Sequence, residues 1–314
     1  MLPITIVTPT YNAGAFIGET IESVLSQTYA ALEYVIVDDG STDDTPTILS
    51  RYGEMLRVHR QANAGEQAAV NAGVALASND VVAIVNADDP IRPGLLAAVA
   101  ETFAAQPDLI GVYPDWVMID RYGRELRRVR SLEYTFEDML KRHYPLPGPG
   151  AFFRKSALGG EPARDSALRY SGDFGFWLRI GLRGPMQRLP GFYATWRQHG
   201  SGASSGHSAE MAMDKIRLVE RFFARPDLRA EIRSTERQAM SAAYYRASLH
   251  AIHNTKVPGK RLLLRSYQLR PIWRWHRNPV MRRSLLRALF ILGQPLSGHV
   301  LSSIARIQRG CRAA

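Results

Sequence analysis

Cysteine is almost missing from this chain of 314 residues: the only one, Cys311, lies near the end of the sequence. An internal disulfide is therefore excluded, and a reducing compartment, the cytosol, is expected. Met1 to Val7 reads as a core strand, with no basic region, apolar stretch and small-residue cleavage site, so no signal peptide is read there. Long apolar runs are missing too. The uncharged stretch from Ala288 to Ile304 is interrupted by Gln294, Pro295, Gly298, His299 and several serines, which argues against a membrane-spanning helix. Residues 8–18 contain no Lys or Arg and no Gly-x-Gly-x-x-Gly, so the first turn is not that of a dinucleotide-binding fold. Asp and Glu are absent from 255–314, which carries 13 Lys or Arg.

What is present has a globular composition, 46% hydrophobic and 22% charged, with charge sorted along the chain. The net charge is +11, yet residues 1–100 hold 12 acidic against 4 basic side chains, and residues 201–314 hold 21 basic against 6 acidic. Such a basic end calls for an anionic surface. Arg270 to Arg277 mixes Trp with Arg, a composition suited to lipid headgroups, so 255–314 is expected to be a basic helical tail at a membrane interface. Nucleic acid is not the expected partner, because no recognition helix or RNA-binding signature accompanies the charge.

The first hundred residues alternate strand-like and helix-like patterns, which predicts a parallel sheet covered by helices. Strands are predicted at Ile4 to Val7, Glu33 to Val37, Leu56 to His59 and Val81 to Val85. Ile17, Ile21, Val24 and Leu25 recur at helical spacing, as do Val70, Val74 and Ala77, and another helix begins after Pro93. Asp44-Thr45-Pro46 starts a short helix. Beyond Leu109 the pattern shifts to short strands, Leu109 to Tyr113 and Trp116 to Ile119. Pro145 to Gly150 is a loop of turn residues, Asp173 to Gly181 is helical, Arg197 to His207 reads as a mobile loop, and Met211 to His253 as one or two amphipathic helices. A catalytic domain over 1–208, a helical extension over 209–254 and the tail follow from these divisions.

Two acidic clusters sit just past predicted strands: Asp38-Asp39-Gly40-Ser41-Thr42-Asp43 and Asn86-Ala87-Asp88-Asp89. In a parallel sheet the carboxyl ends of the strands open onto one crevice, so both clusters would line it. Capping of the next helix accounts for Asp43 or Asp44 but not for adjacent Asp38 and Asp39, whose repulsion must be offset by a ligand or by donors. Asp88 and Asp89 at that spacing can hold Mg²⁺ or Mn²⁺ while diphosphate oxygens complete the shell. Tyr11, after the first strand, offers a ring on which a base can stack.

Taken together, Thr8-Pro9-Thr10-Tyr11-Asn12, Val37 to Thr45, Asn63-Ala64-Gly65 with Asn71-Ala72-Gly73, and Asn86 to Asp89 resemble the ordered signature of family 2 glycosyltransferases, from about residue 3 to about residue 205. The resemblance implies an α/β fold of the GT-A kind, a Rossmann-like, mostly parallel sheet flanked by helices, here with a helical basic C-terminal extension. It implies an inverting transferase that uses a nucleoside diphosphate sugar, UDP-linked by family habit, and Mg²⁺ or Mn²⁺. By position, Thr8, Pro9, Tyr11 and Asn12 would hold the nucleotide with Asp39 and Gln67, Asp88 would face the ribose or donor sugar, and Asp89 would be the principal metal ligand beside Asp88. Asn86 stands where the family often has Asp. Ser171 to Arg179 resembles the family's acidic motif, often Glu-Asp, with Gly172 in place of the first acid, so Asp173 matches the base that takes a proton from the acceptor hydroxyl. Read from the residues alone, Asp173 is equally a helix N-cap. Arg197-Gln198-His199 resembles a downstream segment whose His reaches the metal or the diphosphate.

The expected activity is transfer of a sugar to a hydroxyl of a glycan or lipid-linked acceptor in cell-surface polysaccharide synthesis, in the cytoplasm and peripherally on the inner face of the plasma membrane. Two other readings stay open at this stage. A sugar nucleotidyltransferase shares the cation and the sheet, although residues 8–18 lack its Gly-rich, Lys-bearing loop. A non-catalytic binder of anionic polymers would use the basic tail and a degenerate transferase domain.

Overall fold

The computed structural model describes residues 1–144, 146–200, 209–251 and 259–269. The elements begin with β1 (Ile4–Thr10), α1 (Ile17–Leu25), β2 (Leu32–Asp38), α2 (Thr45–Ser50), β3 (Arg57–Arg60), α3 (Glu66–Leu76), β4 (Val81–Ile84) and α4 (Leu95–Ala105). This is the alternation that the hydrophobic spacing predicts. All seven residues of β1 are buried because β2 and β4 flank it in parallel and helices cover both faces. Ile4 and Ile6 share a core with Ile17, Ile21 and Val24 of α1 and with Leu95, Leu96 and Val99 of α4. Thr10 is level with Asp38, and Val7 with Ile84, so the loops after β1, β2 and β4 open at one edge of the sheet.

The other face belongs to α3, which approaches closely through Gly73. A Cβ there would lie 2.3 Å from Val7 Cγ1 and 3.1 Å from Val37 Cγ2. Gly73→Ala is expected to cost about 1–3 kcal/mol through this overpacking, read as a lower urea midpoint at unchanged slope.

The second half adds β5 (Gly111–Ile119), β6 (Glu125–Val129), α5 (Phe136–Arg142), β7 (Phe152–Arg154), α6 (Gly172–Ile180) and β8 (Met186–Arg197). The sheet order is β3-β2-β1-β4-β7-β5-β6, with β8 parallel to β5, while β7 runs antiparallel to both its neighbours. The two short strands predicted on either side of Pro114 are one strand. β5 passes through Pro114 and Asp115 where its register with β8 shifts, a place that tolerates the missing proline N–H. Asp115 is buried there and takes Arg188 Nε at 2.8 Å and Nη2 at 2.7 Å, with Ser131 N at 2.8 Å. Strand β8 is not predicted, since Pro190 and Gly191 interrupt its pattern, and it carries Arg197 into what the sequence reads as a loop. The rest of that loop, 201–208, lies outside the described residues.

Among the described residues four helices follow, α7 (Ala209–Phe223), α8 (Ala230–Arg233), α9 (Glu236–Ala251) and α10 (Gly259–Leu269), the first three lying where one or two were predicted before 253. The chain divides into two compact units: described residues within Met1–Gly206 together with Glu220–Asp227, and those within His207–Val219 and from Leu228 onward. In the second unit Ala212 and Ile216 of α7 pack with Ala247 and Ala251 of α9. α9 meets α10 through small residues: Ser241 Oγ donates to Ser266 O at 2.9 Å and Ser266 Oγ donates back to Ser241 O. Among the described residues no helix is long and apolar enough to cross a membrane. The expected interfacial tail falls, beyond α10, outside the described residues.

Candidate active site

The loop after β1 is built against the loop after β2. Thr8 belongs to the strand and not to a pocket: its side chain is fully buried, with Oγ1 3.1 Å from Tyr34 Oη. Pro9 is likewise buried in the strand. Tyr11, 51% exposed, is the ring that the end of β1 presents to solvent. Asn12 has a positive φ of 49° and works as a staple: its Oδ1 accepts from Thr42 N at 2.8 Å and its N–H donates to Ser41 Oγ at 3.0 Å.

The repulsion between Asp38 and Asp39 is offset by protein donors. Asp38 accepts from Ser41 N at 2.9 Å and faces Arg60 Nε at 3.4 Å. Asp39 Oδ1 takes Gln61 Nε2 at 2.8 Å and Ala64 N at 2.9 Å, while its Oδ2 takes Gly65 N at 2.8 Å. Asp39 thereby fixes the turn into α3. Three of its roughly four lone-pair positions are filled, which leaves one acceptor site for a base N–H. Asp43 Oδ2 accepts from Gly14 N at 2.9 Å, and Oδ1 from Thr45 N at 3.0 Å. Desolvation opposes its ionisation, but these hydrogen bonds outweigh it and hold the carboxyl below its usual range.

After β4 the two acids have opposite surroundings. Asp89 is buried: its Oδ1 takes Arg197 N at 2.7 Å and its Oδ2 takes Asn86 Nδ2 at 3.0 Å. Its carboxyl is pushed well above the usual range, first by burial and then by the negative charge of Asp88. Asp88 is the open one, 28% exposed, with Oδ2 2.7 Å from His199 Nε2. The Phe16 ring packs against that imidazole at a tilt of 40°, centroids 4.7 Å apart. Asp89, expected as the principal metal ligand, thus carries one protein donor on each oxygen. Of the two acids Asp88 is the more exposed, and its partner His199 is 11% exposed.

Arg197 organises this corner. Its guanidinium is buried and donates to Asp88 O at 2.8 Å, to Asp120 O and Arg121 O at 3.3 Å each, and to Glu19 Oε2 at 2.6 Å. Its Cζ lies 5.2 Å from the Phe16 ring centroid.

Opposite, α3 meets the start of α6. The N-cap of α6 is Ser171, so Asp173 is not the cap; it lies exposed in the first turn with Oδ1 accepting from Phe174 N at 2.7 Å. Gln67 Nε2 donates to Arg169 O at 3.0 Å, and its Oε1 would lie 2.5 Å from a Cβ at Gly172. A side chain at position 172 would displace the end of Gln67. Asn71 clamps the backbone of Arg164 at 2.7 and 3.0 Å, and the buried Arg164 guanidinium has Nε and Nη1 without hydrogen-bond partners among the described residues. Burial lowers its pKa, opposed by the charges of Asp173 and Glu66. Glu66, still reached by solvent, is raised first by desolvation, with Arg164 opposing, and then by Asp173 and Asp88. Acids from α3, from the loop after β4 and from α6 therefore share one field. Neither Glu66 nor Arg164 is legible as a site residue in the sequence, because no motif spacing marks them.

A divalent cation fits part of this arrangement. Among the described residues no three His, Cys, Asp or Glu side chains converge as a complete cage. Asp88 and His199 offer a carboxylate and an imidazole side by side, with a second, buried acid behind them. That suits a cation whose remaining ligands are phosphate oxygens and water.

The family model described as glycosyl transferase family 2 matches residues 5–158. Residues 5–158 form a glycosyl transferase family 2 domain. The family 2 match ends before α6 and β8, so Asp173 and His199 lie beyond it. An uncharacterized glycosyltransferase of Nostoc sp. is 37% identical over 123 residues, 38% of each chain. An O-antigen biosynthesis protein of Myxococcus xanthus is 33% identical over 184 residues, 54% of this chain and 14% of that one. The chain thus spans about two-fifths of the first relative and a small part of the second. Among solved structures, S. aureus TarS 1–349 has a TM-score of 0.67 at 16% identity, covering 93% of this chain and 92% of that one. TarS 1–349 is also solved with UDP and with UDP-GlcNAc. The mannosyltransferase PcManGT of Pyrobaculum calidifontis, solved with GDP-Man and Mn²⁺, has a TM-score of 0.54 at 18% identity, covering 92% of this chain and 87% of that one. These likenesses show the GT-A fold that the family 2 signature implies.

Proposed function

We propose that this protein transfers a sugar from a nucleoside diphosphate sugar, UDP-linked, to a hydroxyl of a glycan or lipid-linked acceptor, with inversion. The observation that carries the reading is the Asp88–His199 pair at the end of β4, beside the end of β1 that presents Tyr11, with the exposed Asp173 of α6 and Asp88 both acting on Glu66. Tyr11 stacks on the base and the remaining acceptor position of Asp39 takes a base N–H. Asp88 and His199 would hold Mg²⁺ or Mn²⁺, which when bound supplies positive charge for the departing diphosphate. Asp173 removes the acceptor hydroxyl proton as that oxygen bonds to the anomeric carbon, and the bond to the diphosphate oxygen breaks on the opposite face. Asp89, Arg197 and Phe16 keep Asp88 and His199 in place and touch no reactant. The complexes of TarS with UDP and UDP-GlcNAc, and of PcManGT with Mn²⁺, support the donor class and the cation.

A thermal-shift panel of nucleoside diphosphates with Mn²⁺ or Mg²⁺ tests it. At about 100 times Kd, UDP with the cation is expected to raise Tm by roughly 5–10 °C, and Asp88→Ala to remove that rise. An equal rise in the variant, or none in the wild type, counts against the site.

A further inference from the structure

Strand β6 and the turn before it carry more positive charge than the edge of a sheet needs. From Asp120 to Arg130 the chain has five arginines and two acids, and all five arginines are exposed. Arg124 is taken by Asp120 at 2.7 Å and Arg128 by Glu125 at 3.1 Å. Arg121, Arg127 and Arg130 have no carboxylate partner among the described residues. One charge is enough to keep an open edge from pairing with another chain. Here three uncompensated guanidinium groups stand beside Tyr122, 72% exposed, and Leu126, 54% exposed. The Tyr122 ring draws in Arg121 and Arg124, whose Cζ atoms lie 5.4 and 5.3 Å from its centroid, so this charge is held in position.

The place of the hairpin gives the charge a direction. Its turn rests on Arg197, whose Nη1 donates to Asp120 O and Arg121 O while its Nε donates to Asp88 O. One guanidinium therefore joins the base of the hairpin to the residue beside the donor phosphates. From that junction β6 leads away along the sheet edge, antiparallel to β5, with Arg127 and Arg130 about 10 Å apart on an extended chain. The planar fork of arginine matches carboxylate and phosphate oxygens two at a time.

We infer that this hairpin binds the acceptor as a polyanion, a glycan carrying carboxylate or phosphate groups laid along β6 with its reacting hydroxyl at the cleft. The inference rests on the transferase reading above for the word acceptor, but not for the binding itself. A bilayer is the weaker match, because a strip of guanidinium groups leading out of a cleft follows a chain, whereas headgroup binding needs a broad face with apolar residues to insert.

Hydrogen–deuterium exchange of the full chain, read on peptides covering 119–131, separates this surface from the basic C-terminal residues. The probes are carboxymethyl dextran, dextran phosphate, neutral dextran and vesicles of phosphatidylglycerol and phosphatidylcholine. At low salt, exchange over 119–131 is expected to slow by at least about threefold with a charged dextran and not with the neutral one, and the slowing is expected to fade with added salt. Whichever charged dextran protects more strongly identifies the anionic group. Arg121→Gln with Arg127→Gln and Arg130→Gln should abolish the protection while keeping the UDP and Mn²⁺ thermal shift of the wild type. Protection that persists in the triple variant, equal protection by neutral dextran, no protection by any glycan, or protection by vesicles overturns the inference. Loss of the nucleotide shift in the wild type, with the hairpin still protected by a charged dextran, would sink the transferase reading and leave the polyanion surface standing.

Discussion

Asp173→Asn is expected to slow sugar transfer by about 10²–10⁴-fold while leaving the nucleotide-dependent rise in Tm unchanged. The amide keeps the size of the carboxylate and can still accept from Phe174 N, the bond that orients the side chain in the first turn of α6. What it loses is the ability to take a proton from the attacking hydroxyl. Because Ser171, and not Asp173, is the N-cap, helix stability should move little. A variant with normal turnover would remove Asp173 from the mechanism. A variant with lost turnover and a lost nucleotide shift would show instead that the residue shapes the donor pocket.

The largest effect on stability is expected at Arg197. Its guanidinium serves three backbone carbonyls, of Asp88, Asp120 and Arg121, and the Glu19 carboxylate, all from inside the protein. Arg197→Ala would strand those acceptors around a cavity beside Phe16, a loss of about 2–4 kcal/mol. Arg197→Lys should recover only a small part, since one ammonium cannot span acceptors arranged for a planar fork. Urea denaturation monitored by circular dichroism reads both variants. Arg197→Ala at wild-type stability would mean that the network forms no more than a surface contact.

The first sheet strands were legible because each runs from a β-branched apolar stretch into a turn signal. The placement of both acidic clusters at one edge was legible because parallel strand ends gather there whatever the side chains do. Sequence could not separate Asp88 from Asp89, since the difference lies in the donors around them: Arg197 N comes from a strand more than a hundred residues away. A motif gives the order of residues and not the face of the strand they occupy, so the contact of the Thr8 side chain with Tyr34 was not legible either. Strand β8 was missed where Pro190 and Gly191 hide the alternation, and with it the structural role of Arg197.

The long separation between the acids after β4 and their partners in β8 has a consequence for biosynthesis. Asp89 meets Arg197 across 108 residues and Asp88 meets His199 across 111. Contacts so distant in the chain form late, after β8 has docked beside β5. A ribosome that has released only the segment matched by the family model has therefore exposed the acids but neither the arginine that orients them nor the imidazole that completes the pair. The emerging polypeptide acquires the Asp88–His199 pair only once the strand ending at Arg197, with His199 behind it, has left the exit tunnel.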